Sequence, residues 1–371
     1  MTREAMCIRW SGWAFVAARE GSAYTDRVAS GTSLARWAAT AVALWAMAAG
    51  PRAEVEPSVL QILSRELKFS ADELAALDRG AIVKHALPTP EPGEIAVVGA
   101  TLVKATKETL INRVRDITEF KRGAEVLQIG RFSDPPTLDD LAALTVGKED
   151  LDVRSCRVGD CNVRLPADAI ARFERGIDWS APDAQARAAA LFKQVLFENV
   201  RAYLSGGPGR MTEYDDGKRQ IRPVADFLGI MKNSPYIGEL VPGLPTHLQE
   251  FPSVALPGAE DFLYWSKEKF GLTPFITVTH VTIARAPSSA VVITSRDVYS
   301  SRYFDASVAA TIASDVVGGP RAFYLVYVNR SRVNALKGAF SALRRSIVER
   351  RVKSSLEKNL KATRIRLEQG A

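Results

Sequence analysis

From residue 274 onward, apolar and polar positions fall into five runs with two different periods. Four are β-rich: PFITVTHVTIARA (274–286), AVVITSRDVYSS (290–301), FDASVAATIASDV (304–316) and RAFYLVYVNRS (321–331). Their connections are short, so they predict an antiparallel meander. The fifth run, 333–368, carries Leu336, Phe340, Leu343, Ile347, Val352, Leu356 and Leu360 at spacings of three, four and five. That spacing predicts one long helix with an apolar stripe, whose other face is rich in Arg and Lys.

Upstream the pattern is more mixed. SVLQILSRELKFSADELAALDRGAIV (58–83) begins with a helical period, and Ser70 with Glu73 forms a capping box ahead of a second short helix. A proline-rich joint, LPTPEPGE (87–94), leads into EIAVVGATLVKA (94–105), a continuous β-rich run in which Gly99 marks a bend or bulge. Thr106 caps KETLINRVRDI, where Leu110, Val114 and Ile117 share a helical face. EVLQIGRF (125–132) reads as the next strand, and Thr137 with Asp140 starts a brief helix after Pro135-Pro136. Residues 167–262 differ in character. PDAQARAAALFKQVLFENVRAYL (182–204) is an amphipathic helix ended by SGGPGR, which lacks the Lys-Ser/Thr of a phosphate loop. The stretch from there to Pro257 reads as loop, with prolines at 223, 235, 242, 245, 252 and 257.

Near the N-terminus, thirteen small or apolar residues, Trp37 to Ala49, follow Arg36. A transmembrane helix needs about 20 such residues, whereas a short apolar run behind a positive charge has the form of a secretory signal peptide. Cleavage is expected after Ala48 or Ala53, giving an exported, periplasmic or secreted chain; an uncleaved anchor helix is the alternative. Because 35 residues precede Arg36, translation is expected to begin nearer Val28. The expected organisation is an extension and signal over 1–53, then one domain over 54–371 with a helical and loop insertion at 167–262.

Composition is that of an ordinary globular protein, 47% hydrophobic and 25% charged. The net charge of +7 is unevenly spread: residues 332–371 carry 11 Lys/Arg against 3 Asp/Glu, whereas residues 49–331 carry 33 against 36. The basicity therefore belongs to the C-terminal helix, and a nucleic-acid role for the whole chain is not supported. That basic face suits either solvent or peripheral contact with an anionic membrane.

Export removes Cys7 and leaves Cys156 and Cys161 as an even pair in an oxidising compartment. DLDVRSC and CNVRLP read as two short strands joined by Arg157-Val158-Gly159-Asp160, a loop suited to a hairpin. Such a hairpin sets the cysteines opposite each other, so a structural disulfide is expected. Zinc wants about four ligands, and His85, His247 and His280 all lie far away in sequence. Thioredoxin-type chemistry wants two residues between the cysteines, not four.

The order of elements, carried by GEIAVVGATLVKATKETLINRVRDI at the front and AFYLVYVNRSRVNALKGAF leading into the final helix, resembles the helix-grip fold of the START-like superfamily. The resemblance covers roughly residues 79–165 and 270–368; the 167–262 segment departs from it as an insertion or lid. It implies an α+β domain whose antiparallel sheet wraps the long C-terminal helix around an apolar cavity. Relatives bind lipids, sterols or other hydrophobic molecules, a few act as cyclases, and no fixed catalytic set carries over.

Candidate ligand-contacting residues follow from chemistry and position. His280 shares one strand face with Ile276, Val278 and Thr282. DVYSSRYFDAS (297–307) gathers Tyr299, Arg302, Tyr303 and Asp305, of which the arginine suits a carboxylate. In FLYWSKEKFG (262–271), Tyr264, Trp265 and Lys267 suit aromatic packing, and EYDDG (213–217) suits a solvated turn. There is no Ser/His/Asp set, HExxH or CxxCH motif, and neither a metal nor a cofactor is expected. Three functions fit: a monomeric carrier of a hydrophobic molecule or lipid without chemistry; a cyclase- or hydrolase-type enzyme using His280, Tyr299, Arg302 and Asp305; or a periplasmic interaction module.

Overall fold

The computed structural model describes residues 58–369 apart from Pro92, Lys218, 270–272, 317–320 and 334–340. The expected signal peptide, cleavage sites, translation start and Cys7 lie outside them, as do Leu336 and Phe340 of the C-terminal stripe.

Two capped helices open the described chain. Ser58 and Ser70 each form a capping box, with Gln61 and Glu73, ahead of α1 (Val59–Arg65) and α2 (Ala71–Asp78). Strand β1 (Val83–Ala86) then pairs with β2 (Glu94–Val103). Thr106 caps α3 (Lys107–Arg115), which is followed by α4 (Ile117–Phe120) and β3 (Val126–Arg131). Between β3 and the next strand of this sheet come α5 (Ala167–Gly176), α6 (Ala184–Gly206), a small hairpin β4 (Tyr214–Asp216) and β5 (Arg219–Ile221), and α7 (Pro223–Lys232), α8 (Tyr236–Leu240) and α9 (Leu244–Glu250). The meander follows as β6 (Glu260–Glu268), β7 (Phe275–Arg285), β8 (Val291–Ser300), β9 (Phe304–Asp315) and β10 (Phe323–Val333), and α10 (Ser341–Glu368) closes the chain.

The fold is α+β. Eight strands form one antiparallel sheet in the order β1-β2-β10-β9-β8-β7-β6-β3, so the last strand returns beside β2 and β3 takes the far edge. Helices cover both faces. On the inner face, Leu110, Ile111 and Val114 of α3, Ile117 of α4, and Leu356, Leu360 and Leu367 of α10 pack against Ile95, Val97, Val281, Ile283, Ile293 and Leu325. On the outer face, α1, α2 and α7–α9 cover Ala96, Val98, Val308, Ala310, Val326 and Val328. Next to them, α5 and α6 cover Leu263, Trp265, Ile276 and Val278. The segment between β3 and β6 is thus a second layer behind the sheet, on the side away from α10.

Five expectations are corrected. Gly99 makes no bulge, since the β2–β10 register runs unbroken through it; it is the crossing point of α10, where a Cβ would lie 2.7 Å from Leu360 Cδ1. The region before Pro257 is not loop, because Pro223 and Pro245 sit in the first turns of α7 and α9 and start those helices. FLYWSKE is a strand, not only a packing patch, and it opens at Glu260, inside the expected insertion. Val333 ends β10 instead of opening the last helix, its N–H donating to the Gly93 carbonyl at 2.8 Å. The cysteine segment forms no pair of strands. Its ladder stops at one bridge, Arg157–Asp160, because Cys156 N–H turns back to the Val153 carbonyl and Arg164 N–H donates to Ser301. The Cys156–Cys161 disulfide is present, with Cα atoms 4.5 Å apart.

Three arginines of α10 are used for docking. Arg345 donates to the Glu94 carbonyl (2.7 Å), Arg364 to that of Gly80 (3.0 Å), and Arg366 to those of Phe120 (2.8 Å) and Arg122 (2.6 Å). These cations satisfy carbonyls of the fold they lie on.

Candidate functional site

The outer face of the sheet holds the residues singled out by the sequence, and it holds them in separate bonded groups. His280 stands on β7 with Ile276, Val278 and Thr282, as its strand period requires, but this face is covered by α6 and the chain after α9. Its Nδ1 lies 2.7 Å from the Tyr203 hydroxyl and its Nε2 2.9 Å from Asp261, with the Phe251 ring centred 4.5 Å away. Asp261 also accepts from His247 Nε2 (3.1 Å) and from the Thr282 hydroxyl (2.6 Å). Burial alone would raise the Asp261 carboxyl, yet the hydrogen bond and charge of His280, with Thr282 and His247, hold it at about 2.

The other four candidates fasten the β8–β9 connection to the helical layer. Buried Tyr299 donates to the Arg164 carbonyl (3.0 Å), and Arg302 donates to the carbonyls of Glu149 (3.2 Å) and Asp150 (2.9 Å). Asp305 is clamped by Arg164 (2.7 Å) and, through both oxygens, by Arg219 (2.7 and 3.1 Å). Tyr303 is exposed, donates to the Thr273 carbonyl (3.2 Å) and sits edge-on to Phe275. Among the described residues, none of these contacts joins His280 to the 299–305 group.

Two further buried carboxylates of this face are also matched to cations. Asp150 accepts from Lys267 at 2.6 Å, and Glu94 from Arg330 at 2.8 Å. Trp265, on the outer side of β6, donates to the Asp140 carbonyl (2.8 Å) and fills the space left by Gly130 on β3, where a Cβ would lie 2.6 Å from its ring. Buried Arg296 is held without a carboxylate contact among the described residues: it lies between the Tyr203 and Phe227 rings (4.9 and 4.5 Å) and donates to the Leu248 carbonyl at 2.7 Å. Burial pulls it down to about 9.

The inner face differs. Beyond the packed contact of α10 with β2, the floor formed by β8, β9 and β10 carries Ser295, Asp297, Ser307, Thr311, Tyr327 and Asn329, all half-buried. These polar residues share the inner face with the apolar contacts of α10 and α4. At its α4 end, Lys121 donates to the Tyr264 hydroxyl (3.0 Å) and to Glu268 (3.2 Å), and Glu268 also accepts from Ser266 (2.7 Å). Burial opposes the charge on Lys121, but Glu268 and Tyr264 raise its ammonium well above the usual lysine value. The Lys121 side chain is 32% exposed.

Asp297 stands on this inner-face floor and is half-buried. Its hydrogen-bond partner among the described residues is the Thr279 hydroxyl, at 3.1 Å on the neighbouring strand. Burial pushes its carboxyl up to about 7; Lys121 and Thr279 offset only part of that, and Glu268 adds to it. Burial pushes Tyr327 up to about 12, with Lys121 opposing the shift.

Asp297 opens the 297–307 stretch yet could not be separated from Tyr299 by strand period, since both occupy alternate positions of one run. A bulge separates them: Val278 pairs with Tyr299 and Thr279 with Asp297, so the two side chains leave on opposite faces. Among the described residues, no three His, Cys, Asp or Glu side chains are grouped to hold a metal ion, and no helix is long and apolar enough to cross a membrane. Compared with known proteins, the chain matches no protein-family model, and no curated protein matches it in sequence.

Proposed function

We propose that this chain is a helix-grip binding domain that takes a hydrophobic or amphiphilic small molecule on the inner face of the sheet between α10 and α4, and carries it without changing it. Three features support the helix-grip reading. The strand order from β2 to β3 brings the last strand back beside the first long one; α3 and α4 connect β2 to β3; and α10 crosses β2 on the same face as those helices. The observation that carries the binding reading is the half-buried floor. A domain that only had to be stable would cover Asp297, Tyr327 and Asn329 fully with side chains. The helical layer behind the sheet is then a support, not a lid.

The location proposed for this carrier is outside the cytoplasm, as a monomer. The Cys156–Cys161 disulfide suits an oxidising compartment. Native mass spectrometry before and after organic extraction, on protein purified from an exporting Gram-negative host, tests the carrier reading. A lipid-sized mass that extraction removes is the expected result. A bare protein mass throughout, together with no binding of added amphiphiles, would contradict it.

A further inference from the structure

We infer that the helical layer carries a second binding site, independent of the inner face: a cleft between α5 and α6 that takes an amphiphile with a carboxylate head, the head on Arg175 and Arg187 and the apolar chain on Leu138, Ala190 and Leu191.

The cleft follows from helical spacing. On α6, Arg187, Ala190 and Leu191 fall at i, i+3 and i+4, one stripe of its surface. On α5, Arg172, Arg175 and Gly176 repeat the same spacing. Helix α5 ends at Gly176, where the extended Ile177 turns the chain away, and Leu138 enters from the short helical turn after β3. Between these walls lies an open cleft of about 670 Å³, within the range of a small-molecule site. Gly176 shows the opening directly, since a Cβ placed on it would meet nothing within 4 Å. Leu138 is 46% exposed and Leu191 half-buried, which leaves apolar surface for a hydrocarbon chain to cover.

The head group follows from charge. Among the described residues, three arginines line the cleft and no carboxylate does. Arg172 is committed, its fork donating to Glu198 at 2.6 and 3.2 Å. Arg187 uses Nε on Asp183 at 2.8 Å, and its terminal nitrogens have no hydrogen-bond partner among the described residues. Arg175 touches no carboxylate among them; its Nε donates to the Ala171 carbonyl of its own helix at 3.3 Å. Asp168 and Asp178 attract Arg172 and Arg187 from outside the lining. Guanidinium forks suit a planar carboxylate, as the Arg172–Glu198 pair in the same cleft illustrates. An ammonium head would meet three cations, and an alcohol would gain the apolar contact alone. Because exposed ion pairs are weak by themselves, head and chain must act together.

Three probes with one tail isolate the head group: octanoate, octanol and octylamine, each titrated calorimetrically at pH 8 below its micelle concentration. Octanoate should bind about tenfold more tightly than octanol, a difference of about 1.4 kcal/mol, and octylamine should bind most weakly. Arg175→Gln combined with Arg187→Gln, at two exposed side chains, should remove octanoate's advantage and leave the unfolding temperature nearly unchanged. Ala190→Glu keeps both arginines and sets a like charge on the exposed floor; it should weaken octanoate about tenfold and octanol far less. Loss of the preference in both variants is the expected result. Its survival in either variant, or failure of octanoate to bind the unaltered protein, would overturn the inference. Neither variant alters the inner face, so the carrier reading stands or falls separately, on its mass-spectrometric test.

Discussion

Asp261 and Asp297 lie on neighbouring parts of one sheet and face opposite sides of it. On the outer face, Asp261 collects His280, His247 and Thr282 and is held at about 2; on the inner face, Asp297 has Thr279 alone and is pushed up to about 7. Burial raises both groups, so the difference is made by partners. The lesson is that burial of a polar group does not mark a site. The outer face buries histidines, arginines and carboxylates and bonds most of them to one another, which is what a structural network requires. The inner face leaves the half-buried Asp297 carboxyl with a single hydroxyl donor.

If the outer network is structural, breaking it should be severe. Asp305→Ala removes the buried carboxylate shared by Arg164 and Arg219 and should cost about 3 kcal/mol in urea unfolding. A loss below about 1 kcal/mol would mean that the clamp is not the anchor of the β8–β9 connection. The inner face should respond with the opposite sign. Because the folded Asp297 carboxyl titrates above its unfolded value, the native state binds more protons between about pH 4 and pH 7, and the protein loses stability as the pH rises through that window. Asp297→Asn should therefore stabilise the protein, by on the order of 3 kcal/mol at pH 8, with the gain shrinking toward pH 4.

Asp261 sharpens the contrast. Its folded value lies below the unfolded one, so its stabilisation is present above about pH 4 and disappears as the pH falls toward 2. Asp261→Asn should cost about 2 kcal/mol at neutral pH and almost nothing near pH 2, measured by thermal unfolding across that range. The smallest effect belongs to the disulfide, which touches neither side of the comparison. Its cysteines are five residues apart, so replacing both by serine should lower stability by at most about 2 kcal/mol.

The strands of the meander were legible because each is long, β-branched and bounded by short connections: β7 and β10 fall within two residues of the ranges read from the pattern. Caps were legible for the same local reason, as Ser70, Glu73 and Thr106 act within one turn. What the sequence withheld was which face is which. His280 and Asp297 both sit in apolar strands, and no periodicity says that one meets Tyr203 and the other the inner face. The adjacent pair Arg296-Asp297 held a usable signal: two charges on successive positions in mid-strand imply that the sheet is covered on both sides. The bulge opposite Val278, which sends Tyr299 outward and Asp297 inward, left no mark in the residue pattern.

The most direct test is a carboxyl-carbon NMR titration of Asp297 and Asp261. Asp297 is expected to titrate near 7 and Asp261 near 2, the difference set by their partners. Titration of both at an ordinary value near 4 would contradict that contrast.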